Sequence, residues 1–125
     1  VIFDTDIFIW VQRGNIKAAK LVEKEAQRFL SLQTYLELLQ GAKTKTQHEH
    51  TIDFLKDFGF RVLPLTENIG HRAAVYIEEY SIAHGLRAGD AIIAATAIEN
   101  NFPLCSSNTK HFKAIKELKL KAFNP

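Results

Sequence analysis

Short apolar runs alternate with stretches of helical periodicity along the whole chain, and this order constrains the fold more than any other feature of the sequence. Val1 to Phe3 reads as a buried strand that stops at Asp4. Asn15 caps a helix whose stripe is Ile16, Ala19, Val22 and Ala26. Arg28 to Gln33 reads as a second strand, after which Thr34, Tyr35, Leu36 and Glu37 have the form of a capping box opening a helix toward Gly41. A helix over 47–58 is closed by Gly59, and Arg61 to Leu65 is a third strand. Thr66 caps a long helix through His84 that Gly85 stops. The pattern then predicts a helix from about Gly89 to Asn100 with Ile92, Ala95 and Ile98 on its apolar side. A strand over 103–106, a helix over 109–117 and a last strand over 120–123 complete the chain. Strands separated by helices imply right-handed crossovers, so the expected fold is a three-layer α/β/α domain with a central, mostly parallel sheet of four or five strands.

With 125 residues, 46% of them hydrophobic, and no Pro/Gly linker or repeat, the sequence is expected to form one domain over 1–125 that can bury a packed core. The one cysteine, Cys105, has no intrachain partner; it excludes a disulfide framework and a Cys-based zinc cluster, suits a reducing cytoplasm, and reads as core by its strand position. No apolar run approaches the roughly 20 residues of a membrane span, and no signal-type segment opens the chain. The absence of Met in a chain opening at Val1 leads to the expectation that the initiator lies outside this numbering, for which only a short segment need be absent. A net charge of +2 permits a nucleic-acid partner without demanding one. Lys110, Lys113, Lys116, Lys119 and Lys121, with Glu117 the one acid among them, form either a basic patch or a solvated helix face.

Ligands of open parallel sheets bind at the carboxyl ends of the strands and at the helix starts beyond them. Asp4 and Asp6 end the first strand, Glu37 falls just after the second, Asp90 opens the helix before the fourth, and Asn108 lies just past it. Three of the five Asp in the chain are in this set. Each has a local explanation: Glu37 as a capping-box member, Asp90 and Asn108 as helix caps. Independent caps have no reason to share one edge of the sheet, whereas gathered carboxylates repel unless a cation neutralises them. A hard cation with oxygen ligands, Mg²⁺ or Mn²⁺, suits them; zinc does not, because neither thiolates nor a clear His spacing is present.

These residues resemble those of the PIN-domain ribonucleases and, within them, the VapC-type toxins of toxin–antitoxin pairs, over almost the whole chain. Val1-Ile2-Phe3-Asp4-Thr5 resembles the family's first strand and first acid, and Glu37-Leu38-Leu39-Gln40-Gly41 its second-acid helix. Gly89-Asp90-Ala91-Ile92-Ile93-Ala94-Ala95-Thr96-Ala97 resembles its third-acid motif, and Ser106-Ser107-Asn108-Thr109-Lys110-His111-Phe112 its closing block. The resemblance implies that Asp4, Glu37 and Asp90 are the acidic catalytic and metal-binding residues. It assigns Asp6, on the same face as Asp4 if the strand continues, a supporting role. Where the family often carries a fourth acid this chain has Asn108, whose carbonyl can still ligate a cation or hold its water.

The implied activity is metal-dependent endonucleolytic cleavage of single-stranded or looped RNA, leaving a 3′-hydroxyl and a 5′-phosphate, with one or two cations activating water. Arg87 and Lys110 would meet substrate phosphates, and His111 would touch RNA or cap its helix. The implied partners are RNA, a small antitoxin laid into an apolar groove, and a second copy in a homodimer. Two alternatives come from other classes. Phe3-Asp4-Thr5-Asp6 also resembles the Asp-x-Asp of haloacid-dehalogenase-type phosphatases, but Ile7-Phe8 stands where Gly-Thr should follow. The other is a catalytically weak PIN module that binds RNA or a protein.

Overall fold

The computed structural model describes residues 1–125 and has five strands and seven helices. In chain order they are β1 (Ile2–Phe3), α1 (Thr5–Gln12), α2 (Ile16–Lys24), β2 (Phe29–Ser31), α3 (Leu32–Gly41), α4 (Lys45–Asp57), β3 (Arg61–Leu63), α5 (Glu67–His84), α6 (Ala88–Glu99), β4 (Leu104–Ser106), α7 (Thr109–Phe112) and β5 (Leu120–Ala122). All strand pairs are parallel, and the sheet runs β3-β2-β1-β4-β5.

Strand alternation sorts the core into two layers. Ile2, Phe29 and Leu104, in register across β1, β2 and β4, face a cluster built on α5, α6 and the turn after α7. Their successors Phe3, Leu30 and Cys105 face the opposite cluster, built on α1 to α4 with Phe8, Val22, Leu38 and Leu55. Helices therefore cover both sides of a sheet whose central strands are fully buried, which is the expected three-layer arrangement. No helix is long and apolar enough to cross a membrane.

The long helix begins and ends where its caps place it. Thr66 accepts a hydrogen bond from the Ile69 N–H, and Gly85 takes the left-handed conformation at φ 69° that a side chain would disfavour.

Elsewhere local order departs from the sequence reading. Asp4 is the N-cap of α1, so Asp6 sits in a first helical turn and does not alternate with Asp4 along a strand. Ser31, the last residue of β2, caps α3 by accepting from the Thr34 N–H. No capping box therefore forms at Thr34, and Glu37 lies in the second turn. Asp90 is likewise no N-cap: Arg87 holds that position and Asp90 is three residues in. Helix α6 is buried nearly all round, by Ala91, Ile93, Ala94, Ala95, Thr96 and Ala97, while Ile92 and Ile98 are only partly covered. The expected helix over 109–117 stops at Phe112. Beyond it, turns from Ile115 N–H to Phe112 C=O and from Leu118 N–H to Ile115 C=O keep Phe112, Ile115 and Leu118 on the core side; their spacing of three fits that tighter winding better than an α-helix.

Candidate active site

From β1 the chain crosses to β2 on one side, while β4 lies on the other side of β1. The direction of strand order reverses between β1 and β4, and the crevice at the carboxyl ends of such a pair is where open α/β sheets bind ligands. Asp4 and Ser106 occupy that point.

Asp4 is 6% exposed. Its Oδ1 accepts from the Thr5 N–H at 2.8 Å, and its Oδ2 accepts from the Ser106 hydroxyl at 2.7 Å across the two strands. Burial pushes its carboxyl up to about 7, the charge of Asp6 pushes the same way, and Asp90 adds a smaller push; the hydrogen bonds from Ser106 and Thr5 oppose them. Ser106, fully buried, is itself fixed by accepting the Asn108 N–H at 3.0 Å.

Glu37 reaches this edge from α3. Its Oε1 lies 3.3 Å from the Thr5 hydroxyl, which is 3.0 Å from the Thr34 hydroxyl. An ionised carboxylate only accepts, so the ordering that satisfies Glu37 has Thr34 donating to Thr5 and Thr5 donating to Glu37. Its Oε2 accepts from Gln33 Nε2 at 3.1 Å. Gly89 stands against both side chains: a Cβ there would sit 3.3 Å from Gln33 Nε2 and 3.3 Å from Glu37 Oε2. One residue on, Asp90 Oδ2 accepts from the Arg87 N–H at 3.4 Å and lies 3.3 Å from His111 Nδ1.

The three acids thus share one edge, joined through Thr5 and Gly89, but no three carboxylate, imidazole or thiol groups stand close enough together to ligate a single ion in this arrangement. Their chemistry nevertheless fits a hard cation. The donors are oxygens, Asp4 is held toward its neutral form by burial beside other acids, and Asp6 Oδ1 is buried without a hydrogen-bond partner. Asp6 makes no hydrogen bond to Asp4 and acts on it through its charge. Its Oδ2 accepts from the Ser107 N–H at 3.0 Å and from the Ser107 hydroxyl, which also receives the Trp10 indole N–H at 3.3 Å. Asn108 is exposed and its side chain makes no capping bond; Arg87 and Lys110 are exposed beside it.

The family model for the PIN domain matches residues 1–118. This chain belongs to the PIN-domain family. Ribonuclease VapC10 of Mycobacterium tuberculosis is 30% identical over 123 residues, which span 95% of this chain and 90% of that protein. Ribonuclease VapC of Rickettsia bellii is 32% identical over 127 residues, spanning 96% and 93%. Among solved structures, a toxin–antitoxin complex from Klebsiella pneumoniae superposes with a TM-score of 0.80 at 31% identity, covering 94% of each chain. VapBC2 from Rickettsia felis bound to a promoter DNA fragment shares the fold, with a TM-score of 0.79 at 22% identity over 98% of each chain.

In this PIN domain the acids are read easily from the sequence, and the groups that hold them are not. Gln33 carries no pattern of its own, and Thr5, Thr34, Ser106 and Ser107 enter the motifs without any sign of the contacts they make. The one available hint is that Thr5 directly follows an acid and Ser107 a strand end, where a short hydroxyl can reach an acid it adjoins in space.

Proposed function

We propose that this PIN domain is a metal-dependent endoribonuclease and the toxin of a toxin–antitoxin pair. The observation that carries the reading is the placement of Asp4, Glu37 and Asp90 on one edge at the strand-order reversal, in a chain whose relatives are ribonucleases by name. Asp4, Glu37 and Asp90 would hold Mg²⁺ or Mn²⁺. When bound, the cation supplies a Lewis acid that brings water toward hydroxide at neutral pH and offsets charge on the phosphoryl oxygens. Ser106 and Thr5 fix Asp4, and exposed Arg87 and Lys110 would meet substrate phosphates. His111, at hydrogen-bond distance from Asp90, orients that carboxylate as well as lying beside the RNA path.

The structural relatives described as toxin–antitoxin complexes support a small antitoxin as partner. A groove of about 350 Å³ between α1, α3 and α4 runs from Glu37 past Leu38 and Gln12, and an apolar pocket of about 260 Å³ lined by Phe8, Val11, Phe54 and Leu55 adjoins it. A segment with apolar side chains and one basic group fits such a surface. A homodimer completes the reading.

Purified protein with Mg²⁺ or Mn²⁺ is expected to cut single-stranded loops in a pool of tRNA and ribosomal RNA, leaving 5′-phosphates, and to lose this activity in EDTA. No cleavage with either metal across the pool overturns the enzymatic reading in favour of a binding module, which the exposed Asn108 and the unclosed acid set would then explain.

Gly89→Ala separates stability from activity. Gly89 is in the first turn of α6, and replacing Gly by Ala in a helix gains up to about 1 kcal/mol. The atoms it would crowd are the ends of two flexible side chains, which can move aside. The variant is expected to melt at or above the wild-type temperature while cutting RNA at least tenfold more slowly, because Glu37 is the group displaced. Melting curves and initial rates on one labelled hairpin check both halves.

A further inference from the structure

We infer that Gln33 is a positioning residue for Glu37, holding its carboxylate in the space that Gly89 leaves by having no side chain, so that it faces the acidic edge with its charge uncompensated. The inference rests on the metal-dependent reading above and adds a residue to it.

A Gln and a Glu four apart on one helix face each other as a matter of geometry. What distinguishes this pair is that the same carboxylate is held from a second element and occupies space left free by a third. Gln33 Nε2 donates to Oε2 at 3.1 Å, and the Thr5 hydroxyl, one residue from Asp4, lies 3.3 Å from Oε1. Each oxygen of Glu37 therefore has its own donor, one from α3 and one from α1. From α6, Gly89 leaves just the room that the Gln33 amide and the Glu37 carboxylate occupy. A glutamate on a surface helix samples several rotamers; here two donors select one, in which the carboxylate lies between the neighbour of Asp4 and the neighbour of Asp90.

The chemical type of the clamp also matters. A Lys or Arg at position 33 could reach the same oxygen but would neutralise it and compete with a cation. The amide of Gln33 donates a hydrogen bond and carries no charge, so it orients Glu37 and leaves the negative charge of the edge intact. Partners of this kind, one step removed from a metal, are typically worth about 10–100-fold in metal affinity or activity.

The test is a double-mutant cycle read by Mn²⁺ binding in the absence of RNA, using water-proton relaxation, which follows affinities into the weak range. Gln33→Met, similar in length and unable to donate, is expected to weaken Mn²⁺ binding about tenfold with an unchanged melting temperature. Gln33→Lys is expected to weaken it more. In a Glu37→Gln background, Gln33→Met is expected to have no further effect, because its action passes through Glu37. Mn²⁺ binding by Gln33→Met as tight as or tighter than wild type overturns the inference, as does an equal loss in both backgrounds; in either case a loss on Glu37→Gln alone leaves the proposed function standing. If the wild type binds no Mn²⁺, the metal-dependent reading falls and the inference falls with it.

Discussion

Asp4→Asn is expected to lower RNA cleavage about a thousandfold while leaving the fold intact. The substitution keeps the size of the residue and both of its partners: an amide oxygen can still accept from the Thr5 N–H, while the Ser106 bond reverses direction, the amide nitrogen donating to the hydroxyl oxygen that in the wild type donates to Asp4. What disappears is the one nearly buried carboxylate at the point where strand order reverses. Loss of a single preorganised electrostatic group in an active site costs on the order of 10²–10³ in rate, and a group that also holds the cation belongs at the upper end. Asp90→Asn should fall in the same range. Asp6→Asn should cost less than about tenfold, because Asp6 bonds to Ser107 and acts on Asp4 only through its charge. Initial rates at saturating Mn²⁺ on one labelled hairpin rank the three. Equal cleavage by wild type and Asp4→Asn would assign the activity to a contaminant and remove Asp4 from the mechanism.

The parts of the fold that could be read from the sequence are those whose cause is local. The helix between Thr66 and Gly85 is bounded by a side-chain cap and a left-handed glycine, and both act within three or four residues. Helix α1 was hidden because Ile7 to Val11 is apolar at every position, so no period shows, and because Asp4 can both end a strand and cap a helix. The start of α3 is not legible in the sequence because Ser31 both ends β2 and caps the helix, leaving no connecting residue between them. Sheet order is a tertiary property: β4 pairs with β1 across about a hundred residues, and nothing near Leu104 specifies it.

The same contrast governs the site. Asp4 and Asp90 stand out because an acid beside an apolar element is costly and therefore uncommon there. Ser106, Thr5 and Gln33 are ordinary residues whose roles exist only through contacts with groups far along the chain or on the next helical turn, such as Ser106 with Asp4. Asp6 shows the cost of a wrong local assignment. Read as a strand residue it would flank Asp4, but as a helix residue it turns to Ser107 instead.

The burial that suits Asp4 to a cation also predicts how the metal-free protein responds to pH. An unfolded aspartate ionises near its ordinary 3.8, whereas folding pushes the Asp4 carboxyl up to about 7, chiefly by burial and then by the charge of Asp6. Between these values the folded state holds a proton that the unfolded state has released. The contribution of Asp4 is therefore fully present at and below pH 4, declines as pH rises, and is lost above about pH 7. Each unit of difference is worth about 1.4 kcal/mol, so the loss amounts to a few kcal/mol. Asn at position 4 reaches the same two partners without ionising, with the Ser106 bond reversed in direction. In EDTA at pH 8, Asp4→Asn is expected to melt roughly 5–15 °C above the wild type, since one kcal/mol moves the midpoint of a domain this size by about 4 °C. At pH 4 the two should converge, because the wild-type carboxyl is then neutral. Saturating Mg²⁺ at pH 8 should raise the wild type toward the variant and raise the variant less, as expected for a ligand that binds the folded, ionised site more tightly than one lacking the Asp4 charge. Thermal melts at pH 4, 6 and 8, with EDTA or Mg²⁺, measure all three effects. A constant gap between the two proteins across that range would mean that Asp4 is ionised throughout, and that its burial is compensated by hydrogen bonds alone.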